Sequence, residues 1–189
     1  LCLNDLDVHH VADEVLGDAD LKAGFQGLWQ GFLKLHNPEE GWSREYDGVD
    51  PGYLSATVSF LAKIYQTNPD PKILEVLRQS VEFCSYFAYP NGFYGGSMGS
   101  RNPMHFYPPG FEIMAGEIRA AASLAEHMLK ALSEGKLVPP EIMADRYLFY
   151  RVPELLQAYL DYSERPTELP PLPYQREPSV RYFSAAKVY

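Results

Sequence analysis

Between Trp42 and Tyr53 the chain reads "WSREYDGVDPGY", which sets Trp42, Arg44, Glu45, Tyr46, Asp47, Asp50 and Tyr53 within twelve positions. Carboxylates, a guanidinium and phenols in one short stretch can together neutralise an acid, move a proton and stack on a sugar face. A second stretch, "YGGSMGSRNPMHFY" from Tyr94 to Tyr107, holds Arg101, Asn102 and His105 among glycines and aromatic rings. These three form a set able to grip a carboxylate. A connector of that length without regular structure is ordinarily functional or disordered. Plain structural roles compete for the same residues. Asp50 ahead of Pro51 has the form of a helix N-cap with proline at the first helical position. Tyr53 can pack its ring on a core, Trp42 and Phe93 can plug helix ends, and Arg44 with Glu45 can be an exposed ion pair worth little.

The elements that must position these residues are helical. Leu21, Phe25, Leu28, Phe32 and Leu35 recur at three- and four-residue intervals, as do Leu54, Val58, Leu61 and Tyr65, and then Leu74, Leu77, Val81, Cys84 and Ala88. The pattern continues through Met114, Ile118, Ala121, Ala125, Met128 and Leu132, and again through Leu148, Val152, Leu155 and Tyr159, where Pro153 should start or kink a helix. A shorter helix is expected over Val8 to Leu16. After Tyr162, prolines 166, 170, 171, 173 and 178 exclude a helix, and "SVRYFSAAKVY" has the β-branched and aromatic content of one or two short strands.

The link "QTNPDPK" over 66–72 is short, with Asn68 and Asp70 as caps, so the helices it joins should run antiparallel. The connections 37–52 and 90–110 are long and share a pattern: "EEGWSREY" then "DPGYLSA", and "PNGFYGGS" then "PPGFEIM". This is a weak internal repeat of loop plus helix pair. Long loops at one end and short turns at the other are how helical hairpins display a binding face.

On these turns, and on "DPGY" opening a helix, the chain resembles the (α/α) toroid of polysaccharide lyases of the heparinase II/III-like and alginate-lyase kind. The tail "RYFSAAKVY" is similar to the first strand of the β-domain that follows the toroid in that family. The resemblance implies a mainly α fold, antiparallel helix hairpins of an incomplete toroid over 1–163, with a proline-rich connector and short β segment over 164–189. It also implies β-elimination on an acidic polysaccharide. Tyr53, His105 and Glu45 would be the catalytic residues, and Arg101, Asn102, Trp42, Arg44, Tyr94 and Glu112 the substrate contacts. Two departures stand against it: the spacing from Glu45 to Tyr53 is long, and Leu54 stands where the family often has histidine. An inverting glycoside hydrolase using two carboxylates among Glu45, Asp47, Asp50 and Glu112, or a glycan-binding or scaffolding helical module without catalysis, remains open beside the lyase.

Charge and composition narrow the partners. The formal net charge of -9 argues against a nucleic-acid binder. No apolar run approaches the ~20 residues that span a bilayer, so a soluble chain is expected, cytoplasmic or periplasmic. Opening on Leu1, the sequence leaves room for a preceding signal or domain. Cys2 and Cys84 indicate no disulfide scaffold, with Cys84 expected as a buried inert thiol. His9, His10 and His127 lack partners at metal spacing, so neither metal nor cofactor is called for. The expected partner is carbohydrate, an acidic glycan in the first instance.

Overall fold

The computed structural model describes residues 3–95, 98, 105–138 and 145–188, with all their side chains except those of 3–7, 146, 147 and 150. Among them lie helices α1 (Leu3–Leu16), α2 (Ala19–Leu33), α3 (Pro51–Thr67), α4 (Pro71–Ser85), α5 (Pro109–Ile113), α6 (Arg119–Ser133) and α7 (Asp145–Leu160). The two-residue strands β1 (His36–Asn37) and β2 (Trp42–Ser43) pair antiparallel, His36 opposite Ser43 and Asn37 opposite Trp42. The chain is mainly helical, with this small sheet as its regular β structure among the described residues.

Aspartates start three of the helices. Asp18, Asp50 and Asp70 each accept a backbone N–H of the first turn, and the last two are followed by a proline whose missing N–H costs nothing there. Helix α3 is the centre: it packs on α1, α4 and α5, and Leu54, Val58, Leu61, Ala62 and Ile64 are buried along it. Its small residues let neighbours approach. A Cβ placed on Gly110 would stand 2.5 Å from Ser59 Cα, so only glycine lets α5 cross α3 at this distance.

The link 68–70 turns α4 back along α3, as the short "QTNPDPK" connection requires. Beyond α4, the Tyr94 hydroxyl donates to the Pro51 carbonyl at 3.0 Å, tying the following loop to the start of α3. Both long loops therefore leave the helices at one end.

Three elements differ from their sequence patterns. The run from Met114 is not one helix: α5 stops at Ile113, the chain turns through 114–117, and α6 begins at Arg119. Met114 and Ile118 are buried in that turn, and the Ile118 N–H donates to the Met114 carbonyl at 2.8 Å, so the turn keeps helical spacing without continuing as one helix. Pro153, expected to start or kink a helix, lies inside α7. Helix α7 also faces inward one position away from the expected stripe: Arg151 and Ala158 are buried, whereas Val152, Leu156 and Tyr159 are exposed. Finally, the tail makes no regular strand among the described residues. A 3₁₀ turn spans Pro173–Gln175, and Phe183 and Val188 exchange two backbone hydrogen bonds as an isolated bridge. Phe183 packs its ring on Phe83 and Tyr86, which returns the tail to the helices.

Candidate functional site

The β1–β2 hairpin is built before it can display anything. Asn37 Oδ1 accepts the N–H groups of Glu39 and Glu40, and Gly41 turns the chain at a φ of 84°. A Cβ there would lie 2.2 Å from the Gln79 carbonyl oxygen of α4, so the position is closed to other residues. His36 Nε2 stands 2.8 Å from Gln79 Oε1, an acceptor, so Nε2 carries the proton. Nδ1 is left to accept from the Ser43 hydroxyl at 3.1 Å. Burial holds this imidazole below its ordinary pKa and therefore neutral, against the opposing pull of Gln79 and the Glu75 charge.

Glu40 is a hub that sequence reasoning missed. Its carboxylate accepts the Trp42 indole N–H at 2.7 Å, the Ala185 N–H at 2.8 Å, the Ala186 N–H at 3.0 Å and the Ser184 hydroxyl at 3.2 Å. Burial alone would raise its pKa. These donors, Ala185 first, outweigh burial and hold the carboxyl below its ordinary value. Trp42, expected to contact substrate, is instead a buried part of this clip between hairpin and tail.

Beyond the hairpin, Arg44, Glu45 and Tyr53 meet around a crevice of about 10 Å³ floored by Phe32 and Leu54. The Asp50 cap, accepting the Tyr53 N–H at 3.1 Å, fixes where Tyr53 leaves α3. Tyr46, 68% exposed and held at a φ of 53°, sets its ring edge-on to Tyr53 with centroids 6.2 Å apart. Burial pushes the Glu45 carboxyl above its ordinary pKa, and the Asp50 charge adds to the shift. A carboxyl, a phenol and a guanidinium around one crevice can transfer protons beside a neutralised acid.

Other expected contacts lie elsewhere. Tyr94 is 0% exposed, with its hydroxyl on the Pro51 carbonyl, so it is core rather than a substrate contact. Burial raises its phenol far above the ordinary value and pushes the neighbouring Cys84 thiol up to about 12. Arg101 and Asn102 lie outside the described residues. His105 is half-buried and does not line the crevice. Its segment runs along a different face of α3: the Tyr107 N–H donates to Ser55 Oγ, Ser59 Oγ donates to the Tyr107 carbonyl, and Ser59 Oγ accepts the Gly110 N–H. At 100° per residue, Ser55 and Ser59 point roughly opposite to Tyr53. The structure therefore joins Tyr53 with Arg44 and Glu45, and not with His105.

Compared with known family models, curated proteins and solved structures, the chain matches none. The site must be read from its own atoms.

Glu112 belongs to a different place, a cavity of about 240 Å³ between α5, α6 and α7. Its buried carboxylate is ion-paired with Arg165, and burial nevertheless raises its pKa, with Arg165 opposing. Arg165 is also 3.8 Å from Glu126 and lies over the Tyr162 ring. Arg151 lines the same cavity. Its position three residues after Leu148 and four before Leu155 was the one sequence signal that a charge faces inward there. Among the described residues, no group of three or more His, Cys, Asp or Glu side chains is placed to hold a metal ion. No described helix is long and apolar enough to cross a membrane.

Proposed function

We propose that the chain is a carbohydrate-active helical module related to the (α/α) toroid lyases, engaging an acidic glycan at the end where its two long loops emerge. The observation that carries this reading is the meeting of Arg44, Glu45 and Tyr53 around one crevice beside the exposed ring of Tyr46. The crevice has room for about one water molecule, so a sugar ring lies across its rim rather than within it. There Tyr46 offers a face for stacking, and Arg44, itself exposed, offers a cation to the uronate carboxylate.

Elimination from a uronate requires a neutralised carboxylate, removal of the proton on the adjacent carbon and a proton for the departing oxygen. Arg44 meets the first need. Tyr53 moves the protons, with Glu45 beside it as a carboxyl whose pKa burial raises. Two carboxylates for hydrolysis are harder to find. Asp50 is committed to its cap and Glu112 to Arg165, which leaves Glu45 and Asp47. The small crevice favours a second reading, glycan binding without catalysis.

The test is the rise in ultraviolet absorbance that accompanies an unsaturated uronate, measured on a panel of acidic polysaccharides. Tyr53→Phe should abolish it, and His105→Ala should leave it in place, both with helical circular dichroism unchanged. Binding should survive Tyr53→Phe and weaken in Arg44→Ala and Arg101→Ala. Retained binding with no absorbance change in the parent chain selects the binding module; no binding to any glycan ends both readings.

A further inference from the structure

The cavity between α5, α6 and α7 is separate in place and chemistry from the loop end. Met128 and Leu132 of α6, Leu155 and Ala158 of α7, and Phe106 wall it, so most of what an occupant would meet is hydrocarbon. Among this hydrocarbon stands one cation with donors to spare. Arg151 is 5% exposed, its Nη2 donates to the Phe106 carbonyl, and its guanidinium lies over the Tyr107 ring at 4.3 Å. Its Nε and Nη1 are shielded from water and have no hydrogen-bond acceptor among the described residues.

Unused donors on a buried guanidinium are costly, because water solvated both in the unfolded chain. The nearby carboxylates do not answer them. Glu112 is paired with Arg165, and Glu154, held by Lys63 at 3.0 Å, acts on Arg151 through its charge without accepting a hydrogen bond from it. The cavity is therefore left with N–H donors that no acceptor among the described residues meets at an apolar wall, and the missing partner is an acceptor carried on a hydrocarbon body.

We propose that this cavity binds a medium-chain carboxylate, with the acid on Arg151 and the chain between α6 and α7. The size agrees. An apolar cavity of about 150 Å³ holds a benzene ring, so 240 Å³ suits roughly ten heavy atoms, the size of octanoate. The geometry agrees as well. A carboxylate oxygen can accept from either Nε or Nη1, the two nitrogens left without acceptors among the described residues. The mouth is lined by Leu129, Tyr159 and Tyr162, all partly or largely exposed, which gives a hydrocarbon tail an apolar way in. Phosphate and sulfate esters would match the charge, but a bulkier head needs more donors than Arg151 has free. This assignment does not depend on glycan recognition at the loop end, and either can fail without the other.

The experiment is displacement of an environment-sensitive apolar dye from the purified full chain by octanoate, methyl octanoate and octanol. Octanoate should bind at least about tenfold more tightly than its ester, which keeps the chain and loses the charge. Arg151→Met should abolish that preference while leaving ester binding near its parent value. Ala158→Phe, which fills the cavity from α7, should remove binding of all three ligands without loss of helical circular dichroism, and it serves as the test if Arg151→Met does not fold. Equal binding of acid and ester, no displacement by either, or undiminished octanoate binding in Ala158→Phe would overturn the proposal.

Discussion

At the loop end, Arg44, Glu45 and Tyr53 crowd around about 10 Å³, whereas the space between α5, α6 and α7 measures about 240 Å³ and has in its apolar wall a guanidinium whose Nε and Nη1 lack acceptors among the described residues. The first region looks dense with chemistry in the sequence, yet much of that chemistry is spent on construction. Asp50 caps α3, Trp42 binds Glu40, Tyr94 bonds Pro51, and His36 holds the hairpin to α4. The second region draws its residues from four separated parts of the chain and shows no motif. A cluster in sequence is thus a poor guide to enclosed volume, which depends on how helix faces meet.

The largest expected effect tests whether the cavity side depends on its buried ion pair. Arg165→Met leaves the Glu112 carboxylate without its cation in a site only 5% exposed, and removing one partner of a buried pair typically costs about 3 kcal/mol or more. The loss should be greatest at neutral pH. Burial already raises the Glu112 pKa in the folded chain, so this carboxyl favours folding below its unfolded value of about 4.5 and opposes it as pH rises through the folded value. Without Arg165 the opposition grows, and the variant should approach the parent as pH falls toward 4.5. Urea midpoints at neutral and acidic pH check this; a difference independent of pH would mean that Glu112 is solvated.

Next comes backbone approach, where both regions have a glycine that cannot gain a Cβ. Gly110→Ala drives an atom into the backbone of α3, and Gly41→Ala drives one into the Gln79 carbonyl while also requiring positive φ. Each should cost about 2 kcal/mol. The consequences should separate. Gly110→Ala should loosen the cavity through α5, and Gly41→Ala should loosen only the hairpin, so amide exchange should rise at 109–113 in one variant and at 36–43 in the other. Exchange rising equally in both regions in either variant would dissolve the distinction between them.

How far the sequence foretold these regions follows from the same residues. Helix pairs were legible because period and caps agree: Asp50-Pro51 and Asp70-Pro71 start helices where their chemistry says, and the short 68–70 link forces a hairpin. The face of α7 was not legible, since Val152 and Tyr159 have the apolar spacing of a buried stripe, while the true inner positions hold an arginine and a small alanine. The turn at 114–117 was hidden because Met114 and Ile118, both buried, mimic helical spacing. At the site, residue types were legible but their commitments were not. Nothing local reveals that Glu40 reaches residues 184–186, because that contact exists only after the tail returns.

That return gives a smaller prediction. Glu40→Ala removes four hydrogen bonds, but the group is near solvent, so the screened loss should be about 1 kcal/mol. Proteolysis near 176–182 should quicken while the helices remain intact. Trp42, deprived of its acceptor, should show an altered fluorescence maximum. An unchanged cleavage rate would mean that Phe183 alone holds the tail.

The smallest effect separates two titrations within the loop end itself. The Glu40 carboxyl lies below its ordinary pKa in the folded chain, so its contribution to stability is complete above the unfolded value of about 4.5 and is lost as pH falls through the lower folded value. The His36 pKa is also lowered, chiefly by burial, but the group is a base that the fold keeps neutral. Below about 6.5 the unfolded chain takes up a proton that the folded chain refuses, so stability declines from that pH downward until the folded imidazole also protonates. Stability measured against pH should therefore fall in two stages, a shallow one beginning near 6.5 and a second beginning near 4.5. His36→Gln offers one amide to Ser43 and Gln79 without a proton to gain, and should erase the first stage while keeping the second. Glu40→Gln should do the reverse. A first stage that persists in His36→Gln would show that the hairpin is held to α4 by packing around Gly41 rather than by a neutral imidazole.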